Sequence, residues 1–373
     1  LSRAPLVNRG IDWLEGSPYG HWLMMLIFEG EGAETDAARA GELARREGGE
    51  ALGERPARAW YEHRYAVSFN QSPVFRAGAF NDTLEVAAPW SRIDELFHAV
   101  RKALARHVIV LAHLSHAYPD GCSIYFTFGG AARSGTSALG AYDSAWREAL
   151  VAARDAGGAI SHHHGIGRSK AEALEADLGP AAAVLRRVLR AWDPDRIMNP
   201  GALLPASPGT SSSLPAGPLT PALDTRSELV TVGADERLGE LEARLSARGF
   251  TLGGSPPLEL SVGEWLARGL PGAPDAWLDP TDHVLAGLQA RLHTGERLLL
   301  QPVPRRATGP DLSALILGAG GRLGRTEFAT LRIHRNDAPP PRALAFAQER
   351  SPPLGSDERE AFDDLAAAVL HED

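Results

Sequence analysis

The sequence predicts an α+β fold followed by a second, smaller α/β unit. Three observations carry this. Short apolar runs bounded by turn residues read as strands. Between them lie segments whose apolar residues recur at helical spacing. A Pro/Ser/Gly-rich stretch at 205–224 then divides the chain. At 373 residues the chain is long for one core. The expected organisation is a first domain at 1–204, a linker at 205–224, a second unit at 225–336 and a proline-rich tail with a terminal helix at 337–373.

In order along the chain, His21 to Phe28 is an apolar run ending in Glu29-Gly30 and reads as a buried strand. Ala33 to Arg46 is rich in Ala, Glu and Arg, and Gly48-Gly49 stops it. Ser91 can cap a helix carrying Ile93, Leu96, Phe97, Val100 and Leu104. Val108 to His116 and Cys122 to Phe128 read as strands joined by the turn Tyr118-Pro-Asp-Gly121. A helix with Leu139, Tyr142, Trp146 and Leu150 on one face ends at Gly157-Gly158. Another carries Val184, Leu185, Val188, Leu189 and Trp192. In the second unit, Leu229 to Val232 is a strand, and Asp235 can cap a helix bearing Leu238, Leu241 and Leu245 before Gly249. Leu298 to Val303, Leu312 to Leu317 and Thr326 to Ile333 read as sheet or buried segments. Ser356 to Leu370 reads as a final acidic helix.

Composition narrows the function. A net charge of −9 offers no global basic footprint for nucleic acid. The single cysteine, Cys122, excludes an internal disulfide framework and fits a reducing, cytoplasmic setting. The run Trp22–Phe28 is too short to span a bilayer. Residue 1 is Leu, so the chain reads as a fragment or as beginning at a processed start.

The chemistry concentrates at Ile160-Ser-His-His-His-Gly-Ile-Gly-Arg-Ser-Lys170. Three successive imidazoles place near-neutral donors and acceptors together. In extended backbone His162 and His164 share a side and His163 faces away. Gly165 lets the chain turn closely past a ligand, and Arg168 supplies a cation. His113 and His116 end a strand, and Tyr125 follows on the next, opposite Ile124 and Phe126. A tyrosine near histidines serves as acid or base once its pKa is lowered; a core tyrosine tying down the sheet is the alternative. No metal site is expected from the spacings. Gly318-Ala-Gly-Gly-Arg-Leu-Gly324 fails as a dinucleotide loop, because Leu stands at 323 and a strand follows. Glu85 with Asp82 reads as caps, turns or solvated faces.

Four strings carry a family resemblance: Asp82-Thr-Leu-Glu-Val-Ala-Ala-Pro-Trp90, Gly121-Cys-Ser-Ile-Tyr-Phe-Thr-Phe128, Ile160 to Gly167, and Asp193-Pro-Asp-Arg-Ile-Met-Asn-Pro-Gly201. With them, residues 20–204 resemble the C-terminal cap domain of FAD-linked oxidases of the vanillyl-alcohol-oxidase type, and within that family the alkyldihydroxyacetonephosphate synthases. The resemblance implies FAD as cofactor and Tyr125, His162, His163 and His164 as catalytic residues beside the flavin. It implies acyl-for-alkyl exchange through a flavin adduct, in ether-lipid synthesis. His113, His116, Arg168, Gln71 and Arg76 are the implied substrate-binding positions, and Asn199 and Gly165 the cofactor-binding ones. The family's phosphate-gripping arginine falls at Gln71, a neutral amide that cannot replace a guanidinium, with Arg76 nearby.

The same cap serves flavin 2-hydroxy-acid dehydrogenases, but here only His116 remains of their first metal motif, and His163 stands at their glutamate. Residues 225–336 resemble a degenerate part of the family's FAD-binding domain, with Glu264 where a glycine of the flavin loop is usual. The implied partners are a small-molecule or lipid-precursor substrate, an FAD domain upstream or in another chain, peripheral membrane contact if the substrate is lipid, and a second copy in a homodimer. A non-catalytic fragment is the third reading.

Overall fold

The computed structural model describes residues 3–15, 22–66, 71–131, 134–205, 217–253, 256–268, 284–338 and 356–370. These form two compact units. One comprises Leu1–Asp82, Ala105–Val110 and Phe128–Tyr142; the other comprises Thr83–Leu104, Leu111–Thr127 and Asp143–Asp373.

The first unit holds the helices Ala4–Glu15, Ala33–Arg46, Arg55–His63 and Ser72–Arg76. Helix Ala33–Arg46 sits where composition put it. Glu34 and Asp36 lie in its first turn and Arg45 and Arg46 in its last, matching the helix dipole. The backbone N–H of Gly49 returns to Ala44 O at 2.8 Å and ends it. Asn8 is buried and satisfied: its amide donates to Ala105 O and Val108 O and accepts from Val110 N–H. The expected strand at His21–Phe28 is corrected. His21 lies outside the described residues, and Trp22–Phe28 joins no strand and stays exposed, Trp22 by 63%. An apolar run predicts burial only where another surface covers it, and this run stays open to solvent along its length.

A three-stranded sheet, order β1-β3-β2, is built from β1 (Ala79–Pro89), β2 (Ile109–Tyr118) and β3 (Gly121–Ala131). The last two are the expected pair. In β3, Ile124 and Phe126 are buried and Tyr125 is half-buried, the predicted alternation. The helices Ile93–Ala105, Gly135–Asp155 and Ala181–Trp192 form where the apolar spacings put them, but Leu139 and Trp192, assigned to their apolar faces, are exposed. Ser91 does not stand free as a cap: its hydroxyl accepts from Ser227 Oγ at 3.2 Å.

Later in the second unit, helices pack on an antiparallel sheet of order β4-β5-β9-β7-β8. Its strands are β4 (Ala222–Asp224), β5 (Leu229–Gly233), β7 (Leu285–Leu292), β8 (Arg297–Leu300) and β9 (Gly324–Arg332); β6 (Phe250–Thr251) pairs with β10 (His334–Arg335). Val230, Val232, Leu238, Leu241, Leu266 and Leu331 fill its core. Helix Leu238–Ser246 is entered through Arg237, not Asp235. The carbonyls of Leu260 and Leu258 accept from the N–H groups of Leu238 and Gly239. Leu312–Leu317 is buried but forms a 3-10 turn, Leu312–Leu315. After Gly318–Gly324 comes strand β9, as expected. Glu264 closes a reciprocal capping box with Ser261: it accepts from Ser261 N–H at 2.8 Å, and Ser261 Oγ accepts from Glu264 N–H. No helix among the described residues is long and apolar enough to cross a membrane.

The segment Val303–Ala307 lies against the first sheet. Val303 clusters with Ala87 and Ala159. Pro304 packs so tightly on Gly121 that any side chain there would collide with it. Ala307 N–H donates to Ser161 O at 3.0 Å. Arg332 of β9 pairs with Asp120 in the β2–β3 turn at 2.9 Å and donates to Pro304 O.

Candidate active site

The loop 161–165 turns back on itself, with Ser161 Oγ donating to Gly165 O at 3.0 Å. Gly165 has φ +76°, a left-handed conformation that glycine adopts without strain. This folds the three histidines over β1 and β3.

At the centre stands Glu85, fully buried. One carboxylate oxygen accepts from His162 Nδ1 at 3.0 Å and lies 2.5 Å from His163 Nδ1. The other accepts the backbone N–H groups of His163 and His164, at 2.8 and 3.2 Å. Burial pushes the carboxyl up. The hydrogen bonds from His162 and His163 and the fields of both imidazoles outweigh it and hold Glu85 at about 2.

An ionised Glu85 accepts only, so the donor and acceptor roles follow around it. A bare nitrogen 2.5 Å from the carboxylate would set lone pair against lone pair, so His163 Nδ1 carries its proton, as does His162 Nδ1. His162 Nε2 shares a hydrogen bond with Tyr118 Oη at 2.9 Å, and His163 Nε2, bare in the neutral ring, accepts from Tyr125 Oη at 2.7 Å. Tyr125 Oη in turn accepts from His164 Nε2 at 3.0 Å. Two carboxylate–imidazole–phenol rows thus diverge from one carboxylate. One is sealed, with His162 fully buried. The other opens to solvent, the His163 side chain being 34% exposed.

The predicted residues divide clearly. Tyr125, His162, His163 and His164 come together. The rings of His116 lie 5.2 and 5.0 Å from those of His162 and His163, and His113 lies 6.0 Å from Tyr125. Arg168 is exposed, as is Asn199, whose φ is +50°. Gln71 precedes the helix Ser72–Arg76 that ends at Arg76, and both belong to the first unit, whereas the histidines belong to the second. Glu85 and Tyr118 were missed by sequence reading, and the solvated role given to Glu85 is corrected. Tyr125 is corrected too: burial, then the Glu85 charge, pushes its phenol up to about 12. It is a proton donor, not a resting base. His163 is held below its ordinary value, first by burial, against the pull of Glu85. It is neutral near pH 7 and can accept.

The spacings suggested no metal set, yet the fold gathers ligand atoms of Glu85, His116, His162 and His163 within 4.8 Å of one another. Three chain segments supply them, which hides the set from any linear motif. The nitrogens of His162 and His163 are already committed to Glu85 and the two phenols.

The pH dependence of stability follows. Glu85 titrates near 4.5 ordinarily and at about 2 when folded. Its contribution, about 3 kcal/mol, is complete above pH 4.5 and lost as pH falls through about 2. His116 and His163, also lowered by folding, begin to oppose folding as pH drops below 6.5. Guanidinium denaturation midpoints should fall from pH 7 to pH 2.5, most steeply below 4.5. A flat profile between pH 5 and 2.5 would contradict the ionised Glu85.

Residues 6–203 match the family model for FAD linked oxidases, C-terminal domain. The alkyldihydroxyacetonephosphate synthase of Trypanosoma brucei brucei is 27% identical over 197 residues, covering 50% of this chain and 32% of that protein. The mitochondrial D-lactate dehydrogenase [cytochrome] 1 of Saccharomyces cerevisiae is 30% identical over 127 residues, covering 34% and 21%. A solved alkyldihydroxyacetonephosphate synthase structure aligns with 31% of this chain and 20% of its own at 26% identity, with a TM-score of 0.25. The alignments thus span about a third or less of these relatives' lengths. The family is one of flavoproteins whose cofactor is FAD. With more than half its length in the match, the chain belongs to the FAD linked oxidases, as their C-terminal domain.

Proposed function

We propose that this chain supplies the substrate-handling face of an FAD-dependent enzyme that exchanges an acyl for an alkyl group, in the manner of an alkyldihydroxyacetonephosphate synthase. The observation that carries this is the open row Glu85–His163–Tyr125–His164. Its donor set fits a flavin: a neutral imidazole, a protonated phenol and a second ring N–H meet solvent together. Tyr125, His163 and His164 would face the isoalloxazine, which supplies electron-pair storage when bound. His163 takes a proton at Nε2 and shares its charge with Glu85, while Tyr125 donates from Oη and is resupplied by His164 Nε2. In this reading the capping box at Glu264 leaves the later sheet a structural role, and a separate FAD domain completes the site.

A 2-hydroxy-acid dehydrogenase is the second reading, favoured by the convergence of Glu85, His116, His162 and His163. The test is direct. In the flavin-loaded enzyme, a fatty alcohol should displace the acyl group of acyl-dihydroxyacetone phosphate, unaffected by chelator. D-Lactate should not reduce an acceptor dye. Chelator-sensitive dye reduction with no exchange would replace the first reading by the second.

A further inference from the structure

One oxygen of Glu85 serves two imidazoles. His162 Nδ1 lies 3.0 Å from it and His163 Nδ1 2.5 Å, and the two nitrogens stand 3.0 Å apart. The rings meet edge to face, at 80°. Two N–H groups that converge on one oxygen compete for its charge, and what one ring draws the other loses. The proposed chemistry uses only the His163 side. On the His162 side the row runs on to Tyr118, at the end of β2. That residue is held in place. Trp90 Nε1 donates to Tyr118 O at 2.9 Å, and the His116 ring lies within 12° of parallel to the phenol. His162 is fully buried and bonded through both ring nitrogens, so its influence on a substrate passes through its neighbours.

We propose that Tyr118 is a positioning residue of this site: acting through His162, it divides the charge of Glu85 between the two imidazoles and so sets how firmly Glu85 holds His163. This rests on the proposed function for its consequence in turnover, and adds the element that tunes the proton acceptor. Hydrogen bonds in a chain polarise one another, by roughly 10–30% per bond. A phenol that donates to His162 Nε2 sharpens the pull of the opposite Nδ1–H on Glu85. With the bond reversed, an imidazolium faces the carboxylate and pulls harder still. Both arrangements draw charge away from His163. The open row mirrors the sealed one: Tyr125 donates to His163 Nε2 at 2.7 Å and pulls the same oxygen the other way. Glu85 is thus balanced between two phenols. Its hold on Nδ1 fixes the orientation of the His163 ring and the electron density at Nε2, the atom that takes the proton.

The test is NMR of the full chain with nitrogen-15-labelled histidine rings, without flavin and without turnover. In Tyr118→Phe the proton signal of His163 Nδ1–H should move downfield, as its bond to Glu85 tightens, and that of His162 Nδ1–H upfield. Tyr125→Phe cuts the open row and should reverse both shifts. A phenol with only a structural role would not move the two signals in opposite senses. The ring nitrogen shifts give the same readout where a proton exchanges with water. Backbone N–H signals of His163 and His164, bonded to the other Glu85 oxygen, report that the loop stays in place. Placing 3-fluorotyrosine at position 118 keeps the shape while altering the phenol's proton, which covers a loss of fold in Tyr118→Phe; it too should move the two signals in opposite senses. An unmoved His163 signal on changing Tyr118, or shifts of both rings in one direction, overturns the proposal. That result leaves the exchange chemistry standing, and failed exchange beside opposed shifts refutes the chemistry alone.

Discussion

Glu85→Ala is expected to destabilise the protein by about 3–5 kcal/mol, the cost of removing one member of a buried charged pair. Four donors lose their acceptor at once: His162 Nδ1, His163 Nδ1 and the N–H groups of His163 and His164. Neither Glu85 nor His162 is exposed, so water cannot replace the carboxylate without opening the sheet. Domains of this kind hold roughly 5–15 kcal/mol in total, so the loss is a large fraction. Guanidinium denaturation should show a lower midpoint with an unchanged slope. Glu85→Gln keeps the shape but sets an amide NH2 against ring and backbone donors, and should fall between wild type and alanine. Because Glu85 helps to raise the Tyr125 phenol, the glutamine variant should also bring that phenol down from about 12 in an ultraviolet titration. An unfolding free energy within about 1 kcal/mol of wild type for the alanine variant would show that the carboxylate does not organise the loop.

His163→Ala should leave the fold intact and lower kcat of the flavin-loaded enzyme by about 10²–10⁴, the span of one positioned acid–base group. The side chain is partly exposed, so its removal opens onto solvent. What disappears is the acceptor of the Tyr125 proton and the link from Tyr125 to Glu85. Tyr125→Phe should lower kcat as well. The double variant should be little worse than His163→Ala, since both residues act in one row. Exchange rates within fivefold of wild type for His163→Ala would remove the row from the mechanism.

The two misread stretches show why legibility was uneven. Trp22–Phe28 has the composition of a buried strand and lies exposed. In β1 the reverse holds: Asp82 and Glu85 interrupt the apolar pattern, yet the strand is the one that carries a fully buried carboxylate. Periodicity reports how well a segment could be buried, whereas the other segments decide whether it is. Glu85 left no local signal, since its four donors lie more than 70 residues away along the chain.

The histidine loop, Tyr125 on its strand, the paired β2 and β3 and most helices were legible, because turn residues, alternation and helical spacing act between near neighbours. Those short-range rules determined which side chains were available for chemistry. Only the tertiary structure decided their states. It set a carboxylate from β1 against two imidazoles and pushed the pKa of a phenol up. Burial and Coulomb fields depend on distance through space, and a linear pattern does not contain that distance.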